Sequence, residues 1–159
     1  MTQEEKLLLI KDLCARLPYR VKCYVPVENC TMELTGKRLN YFCFHKDAWG
    51  GDYSHEREIV LDPLNDVSND YIVKPYLRPL SSMTEEERKE FIDATDGELR
   101  YSEVFDVIKP MRESEDYCAS FVSYLKSIDW LNAHHFDYRG LIEKGLAIEV
   151  TEYNNPYKE

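Results

Sequence analysis

The chain opens on a helical rhythm and then changes period. Thr2 stands three positions before Glu5, the reciprocal pairing of a capping box, and Ile10, Leu13, Cys14 and Leu17 follow at i, i+3, i+4 and i+7. Pro18 closes this first predicted helix, because proline lacks the amide that a continuing helix would bond. From Arg20 the period drops to two, with Val21, Cys23 and Val25 on one side and Lys22 and Tyr24 on the other, as a half-buried strand requires. Thr35, Gly36 and Lys37 predict a tight hairpin between a second and a third strand, with glycine supplying the positive φ. Leu39, Tyr41 and Cys43 alternate with Asn40, Phe42 and Phe44, so both faces of that third strand are rather apolar and call for cover.

Short strands are predicted at Glu58 to Leu61 and at Tyr71 to Val73. Pro75 and Pro79 force the stretch from Lys74 to Leu80 to be extended, which reads as a rigid strap across the sheet. A second capping box, Thr84 with Glu87, opens a helix to Ala94, whereas Leu99 to Val107 shows no clear period. The longest predicted helix starts at a Ser114 cap and carries Tyr117, Cys118, Phe121, Tyr124, Leu125, Ile128 and Leu131 down one stripe. Asp137 then caps a short helix closed by Gly145, and Leu146 to Val150 forms a last strand. The sum is an α+β fold: a small twisted antiparallel sheet, curved toward a barrel, packed with an N-terminal helix and a long C-terminal helix. One domain is expected over residues 1–152, with a frayed tail over 153–159.

Composition narrows the function. Apolar residues make up 43% of the 159 positions and aromatic ones 13%, enough for a folded core. Thirty acidic residues against twenty basic ones leave a net charge of −10, which repels phosphate backbones, so direct nucleic-acid binding is not expected. The N-terminal residues lack the basic and apolar regions of an export signal and no run suits a bilayer, which points to a cytoplasmic protein without membrane contact. Five cysteines, odd in number and without a Cys-x-x-Cys, suggest neither a disulfide framework nor a zinc knuckle but unpaired thiols.

Candidate chemistry concentrates in two places. Trp130, His134, His135, Phe136 and Tyr138 crowd together and are followed by Arg139. Such groups form either a packed mini-core or a partner-binding hot spot, where Trp, Tyr and Arg are enriched. Adjacent histidines diverge and lack a third ligand at a fixed offset, so His134 and His135 do not read as a metal pair. His45 and His55 flank a glycine loop containing Asp52 and are the best metal or enzymatic candidates, although such loops more often contact partners or solvent. The Asp and Asn residues between Asp62 and Asp70 lack the spacing and glycine of a calcium loop. With no dinucleotide, phosphate or nucleophile motif, no cofactor is expected.

Three blocks carry a resemblance: Lys11 to Tyr19 (KDLCARLPY), Lys74 to Glu87 (KPYLRPLSSMTEEE) and Asp129 to Ile148 (DWLNAHHFDYRGLIEKGLAI). They resemble small uncharacterised proteins of gut Bacteroidales and their phages or mobile elements. The resemblance implies a bacterial or viral setting and transfers no activity, ligand or catalytic residue. The leading expectation is a non-enzymatic, acidic protein-interaction module, a phage or mobile-element accessory factor whose partner is a protein. Its rivals are a metal-dependent enzyme or metal-binding domain using His45 and His55, an acidic nucleic-acid mimic, and a small-molecule sponge. Oligomeric state is left open.

Overall fold

The computed structural model describes residues 1–26, 29–38, 41–45, 56–60, 72–95 and 117–158, with backbone alone at 37–38, 41–45, 56–60 and 117–121. Outside the described residues lie the glycine loop with Asp52 and His55, the acidic stretch from Asp62 to Asp70, the segment from Leu99 to Val107 and the Ser114 cap. Two compact units are present, Met1–Arg78 with Arg139–Glu159, and Pro79–Tyr138. The class is α+β. Helix α1 spans Gln3–Arg16, and strands β1 to β5 span Lys22–Val25, Cys30–Arg38, Tyr41–His45, Glu56–Val60 and Lys74–Leu77. Helices α2 (Glu85–Ala94) and α3 (Tyr117–Ala133) follow, and β6 (Ile148–Glu149) ends the order.

The sheet is open, not a barrel, with strands ordered β4-β3-β2-β1-β5-β6. Its ladders are antiparallel except for the β5–β6 edge, which is parallel. The period-two reading of β1 holds: Val21, Cys23 and Val25 are fully buried and Lys22 and Tyr24 half-buried. They join Leu9 and Leu13 of α1, Met32, Leu34, Val73, Leu77, Leu141 and Leu146 in the core of the first unit. Thr2 and Glu5 form the expected capping box, as do Thr84 and Glu87 on α2.

Two sheet expectations are corrected. β2 runs through Gly36 to Arg38 instead of turning there, and the register against β3 slips between Leu34, opposite Phe44, and Gly36, opposite Cys43. One extra residue, Thr35, is thereby accommodated as a β-bulge, a second use for a glycine that interrupts a strand pattern. The proline strap is strand β5 itself, and Val73, read as part of an earlier strand, only leads into it. Pro75 is tolerated there because its β1 partner Cys23 directs its bonds to β2, in step with the Val21 carbonyl that accepts the Leu34 amide, while β6 begins pairing only at Tyr76. The missing amide therefore removes no bond from either neighbour.

In the second unit, α2 and α3 bury Phe91, Leu131, Phe136 and Tyr138 with Met83. Of the described residues in the stripe expected along α3, Leu131 is buried and Tyr124 and Ile128 half-buried, but Leu125 faces outward. Leu125 is 45% exposed and Val122 48%, whereas Ser123, Ser127 and Asn132 are buried beside Leu131. Small serines turn inward at low cost when the hydroxyl is satisfied by the helix itself, and Ser127 Oγ donates to the Tyr124 carbonyl at 2.7 Å. The short helix expected after Asp137 is a turn. Gly145, at φ +67°, donates to Ile142 while Leu146 donates to Leu141, the paired bonds of a Schellman closure without a helix before it.

Candidate functional site

The first unit contains a polar cluster that the apolar spacing alone does not reveal. α1 turns Leu9, Asp12, Leu13 and Arg16 inward together, at i, i+3, i+4 and i+7. Arg16 Nε donates to Asp12 Oδ2 at 2.7 Å with both side chains at 0% exposure. Arg139 Nη1 donates to the other oxygen, Oδ1, at 3.1 Å and is 22% exposed. One buried carboxylate thus serves two guanidiniums, which offsets the desolvation that either charge would otherwise suffer alone. Burial, with Asp12 adding to it, pushes the Cys23 thiol well above its ordinary pKa, so this cysteine is an inert neutral group.

Tyr157 completes the cluster from the far end of the chain. Its hydroxyl accepts from the Lys22 amide at 3.1 Å and donates to the Tyr76 carbonyl at 2.9 Å. Continuing the β1–β5 register of Cys23 with Pro75 and Tyr24 with Lys74 places Lys22 opposite Tyr76, so the phenol stands where a direct ladder bond would run. Burial pushes its pKa up and keeps the hydroxyl protonated, as a donor to a carbonyl must be. The tail expected to fray over 153–159 is therefore pinned at Tyr157. Beside this seam Glu33, nearly buried, takes hydrogen bonds from Arg20 at 2.6 Å and Lys22 at 2.9 Å. Burial raises its pKa, but those two cations outweigh it and hold the carboxyl below its ordinary value.

The histidine segment folds onto itself. Trp130 stacks with His134 at 3.8 Å and with Phe136 at 5.7 Å between ring centres, and meets the edge of Phe91 at 5.3 Å. His134 Nδ1 lies 2.9 Å from the Trp130 carbonyl, which can only accept. Nδ1 must therefore carry the proton, leaving the Nε2 lone pair as the remaining acceptor of neutral His134. α3 ends in a second Schellman motif, with Phe136 donating to Leu131 and His135 to Asn132, and His135 takes the left-handed position at φ +58°. Tyr138 is buried, and its hydroxyl donates to Asn132 Oδ1 at 3.2 Å.

The five partner-binding candidates therefore divide. Tyr138 is core, Arg139 is an ion-pair partner of Asp12, and Trp130, His134 and His135 are half-buried. Of the metal candidates, His45 ends β3 with its side chain outside the described parts, and His55 and Asp52 lie outside altogether. Among the described residues no group of three or more His, Cys, Asp or Glu is placed to hold a metal ion. Cys14, Cys23 and Cys30 are not in disulfides. No described helix is long and apolar enough to cross a membrane.

What the sequence reading missed is the outward pair on α3, Val122 and Leu125, flanked by exposed Lys126, Asp129 and Ala133. Its signal was a helix apolar on more than one side, since Tyr117, Phe121, Tyr124, Ile128, Leu131, Val122 and Leu125 cannot all share one stripe. No family model, curated protein or solved structure matches this chain.

Proposed function

We propose that this chain is a protein-interaction module, not an enzyme, and that it serves a phage or another mobile element as an accessory factor. One observation carries the reading: α3 turns Ser123, Ser127 and Asn132 inward while leaving Val122 and Leu125 about half exposed on one side. Apolar side chains that a helix presents outward in preference to its serines are suited to cover by a protein surface. The bacterial or viral setting is supported by the resemblance of the three sequence blocks. The acidic balance of the chain favours partners with basic character.

Tyr138 and Arg139 are poor probes of this surface, because replacing either disturbs a buried hydrogen bond or ion pair. The informative variant is Val122→Glu with Leu125→Glu, at positions already in contact with water. Covering each side chain contributes about 1.4 kcal/mol, so losing both weakens binding roughly a hundredfold. Tagged wild-type chain incubated with lysate of a bacterial host is expected to retain proteins that the doubly substituted, normally folded chain releases. Recovery of an identical set by both would eliminate the α3 face as the docking surface.

A further inference from the structure

A cavity of about 280 Å³ opens in the first unit where the start of α1, the entry to β5 and the 141–145 turn come together. Met1, Ile72 and Leu146 supply its apolar lining, and Lys74, Lys144 and Glu5 its charges. It lies beside the stretch of β5 that precedes pairing with β6, which begins at Tyr76. Glu5 is already committed: its Oε2 accepts the Thr2 amide at 2.7 Å, and that bond, with a further contribution from Lys144, lowers its pKa and keeps it ionised. Lys74, Lys144 and the α-ammonium of Met1 against one engaged carboxylate leave the lining with an excess of positive charge. In a chain whose net charge is −10, that is a local reversal of sign.

We propose that this cavity binds a small amphiphilic carboxylate, with one negative charge held by Lys74 and Lys144 and an apolar body against Ile72, Leu146 and Met1. The volume falls just under the roughly 300 to 1,000 Å³ of sites for drug-sized ligands, which limits the occupant to a small one. Both lysines are flexible point charges, suited to a carboxylate without demanding the bidentate geometry an arginine would impose. The site is independent of the α3 face and stands or falls without it.

The test titrates octanoate, octylammonium and octanol into the full chain while backbone amide signals are followed by NMR. Octanoate is expected to shift the amides of residues 72–74 and 144–146 saturably and to bind at least tenfold more tightly than either analogue. Lys144→Glu, at an exposed turn position that leaves the fold intact, is expected to weaken octanoate about tenfold or more and to narrow the gap to octylammonium. Equal affinity for octylammonium, unchanged octanoate affinity in Lys144→Glu, shifts centred elsewhere, or no saturable shift would each overturn the proposal.

Discussion

Asp12 and Tyr157, in the first unit, each bond a residue far along the chain, whereas the His134–Trp130 and Tyr138–Asn132 contacts, in the second, close within one helix end. Asp12 and Arg139 are separated by 127 positions, and Lys22 and Tyr157 by 135. The Trp130–His134 stack and the Tyr138–Asn132 bond are closed by sequence neighbours. Both regions bury polar groups with hydrogen bonds, and the polar interior of the first depends on where Arg139 and Tyr157, near the end of the chain, lie. The lesson is one of vulnerability: a charge buried by long-range contacts exists only in the assembled fold, while a locally closed cap can form as soon as its helix does.

The sharpest way to break that contrast is Asp12→Ala. It leaves Arg16 buried without its carboxylate and strips Arg139 of the same partner, so a loss of about 3 to 5 kcal/mol is expected in urea unfolding. Replacing the pair together, Asp12→Leu with Arg16→Met, should recover most of that loss, because Arg139 is partly exposed and can turn to water. A double variant no more stable than the single one would mean that the cluster stabilises through something besides charge compensation.

Tyr157→Phe should come next, at about 2 kcal/mol, since it leaves the Lys22 amide and the Tyr76 carbonyl without their shared bridge. Hydrogen exchange at Lys22 should accelerate in this variant while amides of α3 keep their wild-type rates. The same residue has a pH signature. Its pKa is raised in the fold, so its contribution is complete below the ordinary tyrosine value of about 10 and is lost as pH rises through the folded value. In Tyr157→Phe that part of the alkaline decline should be missing; an unaltered alkaline curve would place the ionising group elsewhere.

The smallest effect is a gain. His135 sits at a left-handed position that glycine normally fills, so His135→Gly should stabilise the end of α3 by about 1 kcal/mol, read as a rise in melting temperature. A loss instead would show that the imidazole makes contacts worth more than the backbone strain it sustains.

Much of this architecture was readable in advance. Both capping boxes, the alternation around β1 and the end of α1 two residues ahead of Pro18 follow from interactions within a few residues, where chemistry and spacing are enough. Gly36 was readable only in part: its backbone freedom marks an irregularity, but a hairpin and a bulge both use it, and the β3 register decides. The outward placing of Val122 and Leu125 was hidden because the apolar residues of α3 cover too many sides to nominate one, so the choice falls to the packing that accepts Ser123 and Ser127. The Asp12–Arg16 spacing on the face of Leu9 and Leu13 was visible, yet charged residues on a helix normally face water.

By itself, then, the sequence determined the class of fold, the starts of α1 and α2 and the faces of β1, because those depend on local bonding and on the period of apolar residues. Only the tertiary structure decided that Arg139 meets Asp12, that Tyr157 bridges Lys22 and Tyr76, and that Val122 and Leu125 face outward. These outcomes rest on pairings across 81 to 135 residues or on which side of a helix packs inward. No window of neighbouring residues encodes them; the free energy that selects them arises when distant surfaces lose water together.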